Sequence, residues 1–298
     1  MDHLYSAEEL EALHRRSLEL FLYFKSVCDR GGLLCYLCGG GCIGALREGG
    51  FIPWDDDLDV FMPREDYEKL PAVWEKYADT ARYAIYYPHK GFCDHNIFTT
   101  VRDGQTTFIK PYQADLDINQ GLMLDIMPLD GCPSSRFARK MQKFWAMVYF
   151  LYCSRLPAVN RSKPVELASR FLLAVIPRRL GEKLWMCAKR HMTRYPIAQC
   201  DKITELCAGP KYWGYEYPKE WFASAVSVPF EDTEVVLPVG CDSYLRMAFG
   251  DYMQRPPKEQ QIPHHDAVRV DMEHGYLRYK GVDYCVGASQ TDKPSAPR

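Results

Sequence analysis

The sequence predicts an α/β (α+β) chain with a basic helical insert, and three observations carry that expectation. Stretches of helical period alternate with short apolar or alternating runs bounded by Gly and Pro. A glycine turn leads into an acidic run that alternates with apolar residues, GGGCIGALREGGFIPWDDDLD at 39 to 59. Positive charge is concentrated in one segment that reads as helix.

The elements follow in order. Ser6 and Glu9 form a capping-box pattern, and Leu10, Leu13, Leu18, Phe21, Leu22 and Phe24 recur at helical spacing up to about Asp29, where Gly31 and Gly32 stop the helix. LLCYLC is a short buried strand running into Gly39, Gly40 and Gly41, and CIGALRE makes a brief helix before the loop GGFIPW. Residues 57 to 62 form the next strand. REDYEKLPAVWEKYA after Pro63 is an amphipathic helix interrupted near Pro71. ARYAIYY, NIFTTVR and TTFI suit strands rich in aromatic and β-branched residues, and GLMLDIMPLD is a further apolar strand with Asp125 alone among hydrophobic neighbours. Residues 134 to 154 and 164 to 195 read as basic helices whose apolar parts fall short of the ~20 residues that span a bilayer. This gives a core over 1 to 132, a basic helical insert over 133 to 200, a part over 201 to 286 that completes the cleft, and a disordered tail over 287 to 298.

Charge and cysteine usage narrow the class. The net charge of −2 conceals a segment from Pro133 to Tyr195 with 14 Lys and Arg against Glu166 and Glu182, a net of +12 that leaves −14 on the rest. Such a segment attracts polyanions, so nucleic acid, an anionic membrane surface and a phosphate-bearing glycan are all candidates beside a merely solvated helix face. The start MDHLYSAEELEALHRR lacks the features of a secretory signal, and many of the 12 cysteines lie in apolar runs, so reduced thiols and a cytoplasmic location are expected. Cys35, Cys38 and Cys42 have a spacing that suits zinc or redox chemistry, but their apolar setting favours core packing.

The acidic run carries the chemistry. On a strand Asp57 and Asp59 point the same way while Leu58, Val60 and Met62 pack behind. Paired carboxylates repel each other and are tolerated where a cation neutralises them. Hard oxygen ligands beside a glycine turn whose amides can hold phosphate suggest magnesium-dependent phosphoryl transfer. Asp55, Asp57 and Asp59 also match the start of an EF-hand, but that loop needs Gly at its sixth place and Glu at its twelfth, where this chain has Val60 and Asp66.

A glycine turn, a short helix and a DxD on the next strand resemble nucleotidyltransferases related to DNA polymerase beta. GGCIGALREGGFIPWDDDLDVFMPREDYEKL resembles more closely the signature of the LicD family, which includes bacterial phosphocholine transferases and the fukutin-related proteins, and the resemblance extends to LDIMPLDG at 124 to 131 and GDYMQRPPKEQQIPHHD at 250 to 266. It implies transfer of a phospho-alcohol from a CDP-linked donor, CDP-choline foremost, to a hydroxyl of a glycan or glycolipid such as lipopolysaccharide or teichoic acid, with release of CMP and with no nucleic-acid partner. It implies that Asp57, Asp59 and Asp125 hold Mg²⁺ (or Mn²⁺), Asp125 alternatively taking the acceptor proton. It places Gly40, Gly41, Cys42, Arg47 and Arg102 at the donor phosphates, Cys42 standing where the family has a hydroxyl residue. Trp54 is a candidate face for a quaternary ammonium group, and His264, His265 and Asp266 belong to a family block without an assigned role. Other phospho-alcohols (ribitol, glycerol or ethanolamine phosphate), nucleotidyl transfer, and a membrane-surface scaffold with an inactive site are the alternatives, and 133 to 195 is the candidate for peripheral membrane contact.

Overall fold

The computed structural model describes residues 5–158, 162–263 and 265–286. The chain begins with helix α1 (Ala7–Gly31), whose capping box joins Ser6 and Glu9 and whose end is turned by Gly32 in the left-handed region. Strand β1 (Tyr36–Cys38) leads into the short helix α2 (Gly39–Ile43) and one π turn (Gly44–Glu48). Strand β2 (Asp59–Pro63) is followed by α3 (Arg64–Tyr67) and α4 (Leu70–Tyr77). The expected interruption thus falls before Pro71, which lies in the first turn of α4, where its missing N–H has no helical partner to lose. Strands β3 (Tyr83–Tyr86), β4 (Thr99–Asp103), β5 (Thr107–Ile109) and β6 (Leu122–Cys132) complete the first half.

β1, β2, β6, β4 and β3 lie side by side in a mixed sheet in which β2 and β6 run parallel and the other neighbours antiparallel. The register sets Asp59 beside Asp125, with Cys38 and Thr100 as their outer neighbours. Strand alternation then puts Val60, Met62, Leu124 and Ile126 on the opposite face, all buried in the main core with Leu13, Phe21 and Phe24 of α1 and Trp74 of α4. Each large apolar side chain buried there contributes about 1.5–3 kcal/mol.

The basic segment forms α5 (Arg136–Ser154), α6 (Lys163–Val175) and α7 (Arg178–Met192), so the second expected helix is divided at Ile176 and Pro177. α5 and α7 share a second apolar cluster that includes Ala146, Tyr149, Trp185, Ala188 and Met192. The insert is fixed to the sheet by buried polar groups. Arg139 donates to Gln142 Oε1 (2.7 Å), Thr204 Oγ1 (2.7 Å) and the Trp213 carbonyl (2.9 Å), while Gln142 Nε2 donates to the carbonyls of Gly131 and Met192, both at 2.9 Å.

The chain returns through β7 (Lys202–Thr204) on the end of β6 and β8 (Tyr217–Pro218) beside it, the hairpin β9 (Ala225–Phe230) and β10 (Thr233–Pro238), helix α8 (Cys241–Phe249), and β11 (Arg269–Asp271). The hairpin turn explains the glycine pair at 49 and 50. Gly49 takes a positive φ of 73°, and a Cβ on Gly50 would meet the Glu231 carboxylate, which accepts from the Phe51 N–H at 2.9 Å. Of the aromatic residues Tyr212, Trp213, Tyr215 and Tyr217, Trp213 and Tyr217 are buried, and Tyr217 packs edge-on to Tyr244 at 5.3 Å. All 12 cysteines are free, and Cys35, Cys38 and Cys42 are buried, as core packing requires. The expected tail at 287 to 298 lies outside the described residues.

Arg64 and Asp130 form a buried two-pronged ion pair, Nε to Oδ1 at 2.7 Å and Nη2 to Oδ2 at 2.8 Å. Arg64→Met strands the Asp130 charge and is expected to cost about 3–5 kcal/mol in urea unfolding, whereas Arg64→Met combined with Asp130→Leu recovers most of the loss. Glu205 is buried with the Tyr217 hydroxyl donating to it, and burial raises its carboxyl from an ordinary 4.5 to about 8. Between those values the folded chain keeps a proton that the unfolded chain releases, so this residue erodes stability as pH rises through that window. Glu205→Gln should therefore give a higher urea midpoint than the parent at about pH 8.5 and no advantage at about pH 5.

Candidate active site

The acidic run is delivered by the loop into β2. Asp56, Asp57, Asp59 and Asp125 line one small cleft with Phe108, Lys110 and His265. Asp59 and Asp125 come from neighbouring parallel strands, so their backbones are locked in register. Asp57 lies two residues before Asp59 at the mouth, with its side chain 30% exposed.

The electrostatics match a gathering of like charges. Burial raises the Asp59 carboxyl well above the usual range, with Asp57 and Asp125 adding to the rise and His265 and Lys110 opposing it. Burial raises Asp57 too, countered by His265 and reinforced by Asp56 and Asp125. Asp55 is pushed up to about 8 by burial and by the charges of Asp57 and Asp56. Two cations face this set. Lys110 Nζ lies 3.6 Å from Asp125 Oδ2, and His265 reaches Asp56 Oδ1 through Nδ1 at 2.9 Å and Asp57 Oδ2 through Nε2 at 3.5 Å. Burial alone would lower the His265 imidazole, but its hydrogen bond with Asp56 and the charges of Asp57 and Asp56 raise it to about 9.

Asp56 belongs to the frame of the cleft. It is 1% exposed and accepts from the His265 backbone N–H at 3.1 Å and the Tyr5 hydroxyl at 3.3 Å. His265 arrives because the chain beyond it runs along β5: Val268 N–H donates to the Ile109 carbonyl at 2.8 Å and β11 pairs with β5. The same ribbon fixes Lys110, the residue after β5. Sequence reading did not single out Lys110; a lone Lys ending an apolar strand before Pro111 gives no sign of the carboxylate that it will face.

The residues expected around the glycine turn have other partners. A Cβ on Gly40 would lie 2.1 Å from Asp55 Oδ2, so the bare glycine admits the Asp55 carboxylate, and Gly41 packs closely on Leu37 and Leu58. Cys42 is turned inward with its thiol 3.0 Å from the Leu37 carbonyl. Arg47 is held by Glu48 at 2.7 Å, by the Tyr252 carbonyl at 2.8 Å and over the Trp54 ring at 5.9 Å. These contacts fix the π turn to the late segment, and Arg255 reaches the same Glu48. Neither Arg47 nor Trp54 lines the cleft. Arg102 is fully buried on β4 and donates to Gln113 Oε1, while its Nε and Nη1 lack a hydrogen-bond partner among the described residues. It stands on the same strand face as Thr100, the neighbour of Asp125, but outside the cleft lining. His264 lies outside the described residues.

Two observations bear on a divalent cation. Asp125 Oδ1 is buried with no hydrogen-bond partner among the described residues, an acceptor facing the acidic cleft. Asp56, Asp57 and His265 offer ligand atoms that lie within 4.8 Å of one another. Oxygen-rich donors with raised carboxyls suit a hard cation such as Mg²⁺, whose charge would offset the repulsion.

Comparison with known proteins shows what the chain is similar to. Residues 32–111, which run from the end of α1 to just beyond Lys110, match the family model described as LicD/FKTN/FKRP, nucleotidyltransferase domain. Over 260 residues the chain is 28% identical to the lipopolysaccharide cholinephosphotransferase LicD of Haemophilus influenzae, which takes in 83% of this chain and 92% of that relative. Residues 32–111 are therefore similar to a LicD family nucleotidyltransferase domain, and the acidic run at 55 to 59 falls within the matched residues.

Proposed function

We propose that this protein transfers a phospho-alcohol, phosphocholine foremost, from a CDP-linked donor to a hydroxyl of a cell-surface glycan or its lipid-linked precursor, releasing CMP. The observation that carries the reading is the cleft that Asp57, Asp59 and Asp125 line together with Lys110 and His265. The similarity to a lipopolysaccharide cholinephosphotransferase supports the choice of headgroup and acceptor class. The family description supports a nucleotidyltransferase core, which in this reading is of the DNA polymerase beta type.

In this reading Asp57, Asp59 and Asp125 hold Mg²⁺ or Mn²⁺, which when bound neutralises phosphate charge and polarises the phosphorus centre. Lys110 offers a positive charge to the donor phosphates from the edge of the cleft. Asp56 positions the His265 ring beside the Asp57 carboxylate. Asp125 is alternatively the acceptor of the sugar hydroxyl's proton. Most of the rate enhancement comes from alignment of the attacking oxygen and from fixed charge, since phosphoryl transfer asks little covalent chemistry of the protein. The protein works on the cytoplasmic side of the membrane, in peripheral contact through 133 to 195.

CMP release should be measured with CDP-choline, CDP-ethanolamine, CDP-glycerol and CDP-ribitol beside a glycan acceptor. CDP-choline with Mg²⁺ is expected to turn over fastest and chelation to abolish it; release from none of the four would overturn the reading. Asp57→Asn and Asp59→Asn should each lower turnover by at least about 10²–10³-fold, on the scale of losing one fixed charge-stabilising group, with unchanged thermal melting. Wild-type rates in both would remove these carboxylates from the chemistry.

A further inference from the structure

Helix α6 departs from the rule that a helix buries its apolar face. Of its 13 residues from Lys163 to Val175, Ser169 is the buried one. Leu167, Phe171 and Val175, spaced four apart, are 70%, 64% and 56% exposed, and Val165 and Leu172 extend the same stripe. What ties the helix down is on another side: Ser169 Oγ accepts from the Ala158 N–H at 2.9 Å and donates to the Glu166 carbonyl at 2.7 Å. A helix this short is marginal in water by itself, and the protein body leaves much of its apolar stripe uncovered.

Charge identifies what covers the stripe. The exposed Lys163 precedes it, Arg178 and Arg179 stand exposed just after it, and they belong to the segment that carries +12 in a chain otherwise at −14. An apolar stripe flanked by basic residues complements an anionic bilayer surface, where acyl chains take the apolar side chains and headgroups take the cations. Thirteen residues rise only ~20 Å, too little to cross the ~30 Å hydrocarbon core. Among the described residues no helix is long and apolar enough to cross a membrane. We infer that α6 lies in the plane of an anionic membrane with Leu167, Phe171 and Val175 inserted among the lipids. This deepens the peripheral contact proposed above by assigning it to apolar insertion by one helix, with the surrounding charge in a steering role.

The test is flotation of the full-length protein with vesicles of phosphatidylethanolamine and phosphatidylglycerol, and with vesicles of phosphatidylcholine alone. The wild type is expected to float with the anionic vesicles. Leu167→Ser, Phe171→Ser and Val175→Ser combined should weaken this at least about tenfold even at low salt, whereas Arg178→Glu with Arg179→Glu should weaken it by an amount that grows as salt falls. CMP release with a water-soluble acceptor should stay at the wild-type rate in both variants, so loss of membrane binding is read separately from loss of chemistry. Retained flotation of the triple-serine variant overturns the inference. So does a wild type that ignores vesicles and sediments as a dimer that the triple-serine variant converts to monomer, because the stripe then covers a second copy of the chain.

Discussion

Mutual repulsion among carboxylates held on neighbouring strands is the constraint on which the rest of the structure depends. Asp59 and Asp125 cannot move apart without breaking the β2–β6 ladder, and a slip of one residue would send Asp59 to the core face and Val60 to the cleft. The sheet therefore fixes the charges, and their surroundings must neutralise them. Lys110 and His265 do part of that, and both are held by the ribbon of β5 and β11.

Long-range contacts thus build the cleft from pieces far apart in the chain. The late segment supplies Tyr252 and Arg255 to the π turn and His265 to the acidic loop, and the hairpin turn at Glu231 sits on the glycine pair. The two glycine clusters have different physical reasons: Gly40 admits the Asp55 side chain, whereas Gly49 and Gly50 admit a turn from another element. The helical insert is anchored through satisfied polar groups on Arg139 and Gln142 and through the cluster around Trp185, so α5 and α7 are part of the body while α6 is left on the outside.

Much of this was legible in the sequence where the signal is local. The capping box at Ser6, the apolar strand around Asp125 and the basic helices all appear at nearly the expected places, because periodicity and caps act within a few residues, whereas the strand expected over 57 to 62 begins only at Asp59 and leaves Asp57 in the loop before it. What stayed hidden depends on tertiary meetings. Nothing near Lys110 announces Asp125, and Asp56 looks like a loop residue until His265 arrives from more than 200 positions away. Arg47, expected from the family resemblance at the donor phosphates, is held by Glu48 and a backbone carbonyl. Helix α6 was visible as an apolar, basic stretch, but only the fold reveals which of its sides the protein leaves uncovered.

The central claim is that three carboxylates from β2, its leading loop and β6 serve one divalent ion. The most direct measurement is a crystal structure with Mn²⁺ and a CDP-choline analogue, the ion located by its anomalous scattering. The account predicts a single strong peak ligated by Asp57, Asp59 and Asp125, with Lys110 at the donor phosphates. A peak held by Asp56 and His265 with Asp59 and Asp125 left outside its coordination, or one elsewhere in the molecule, would contradict it.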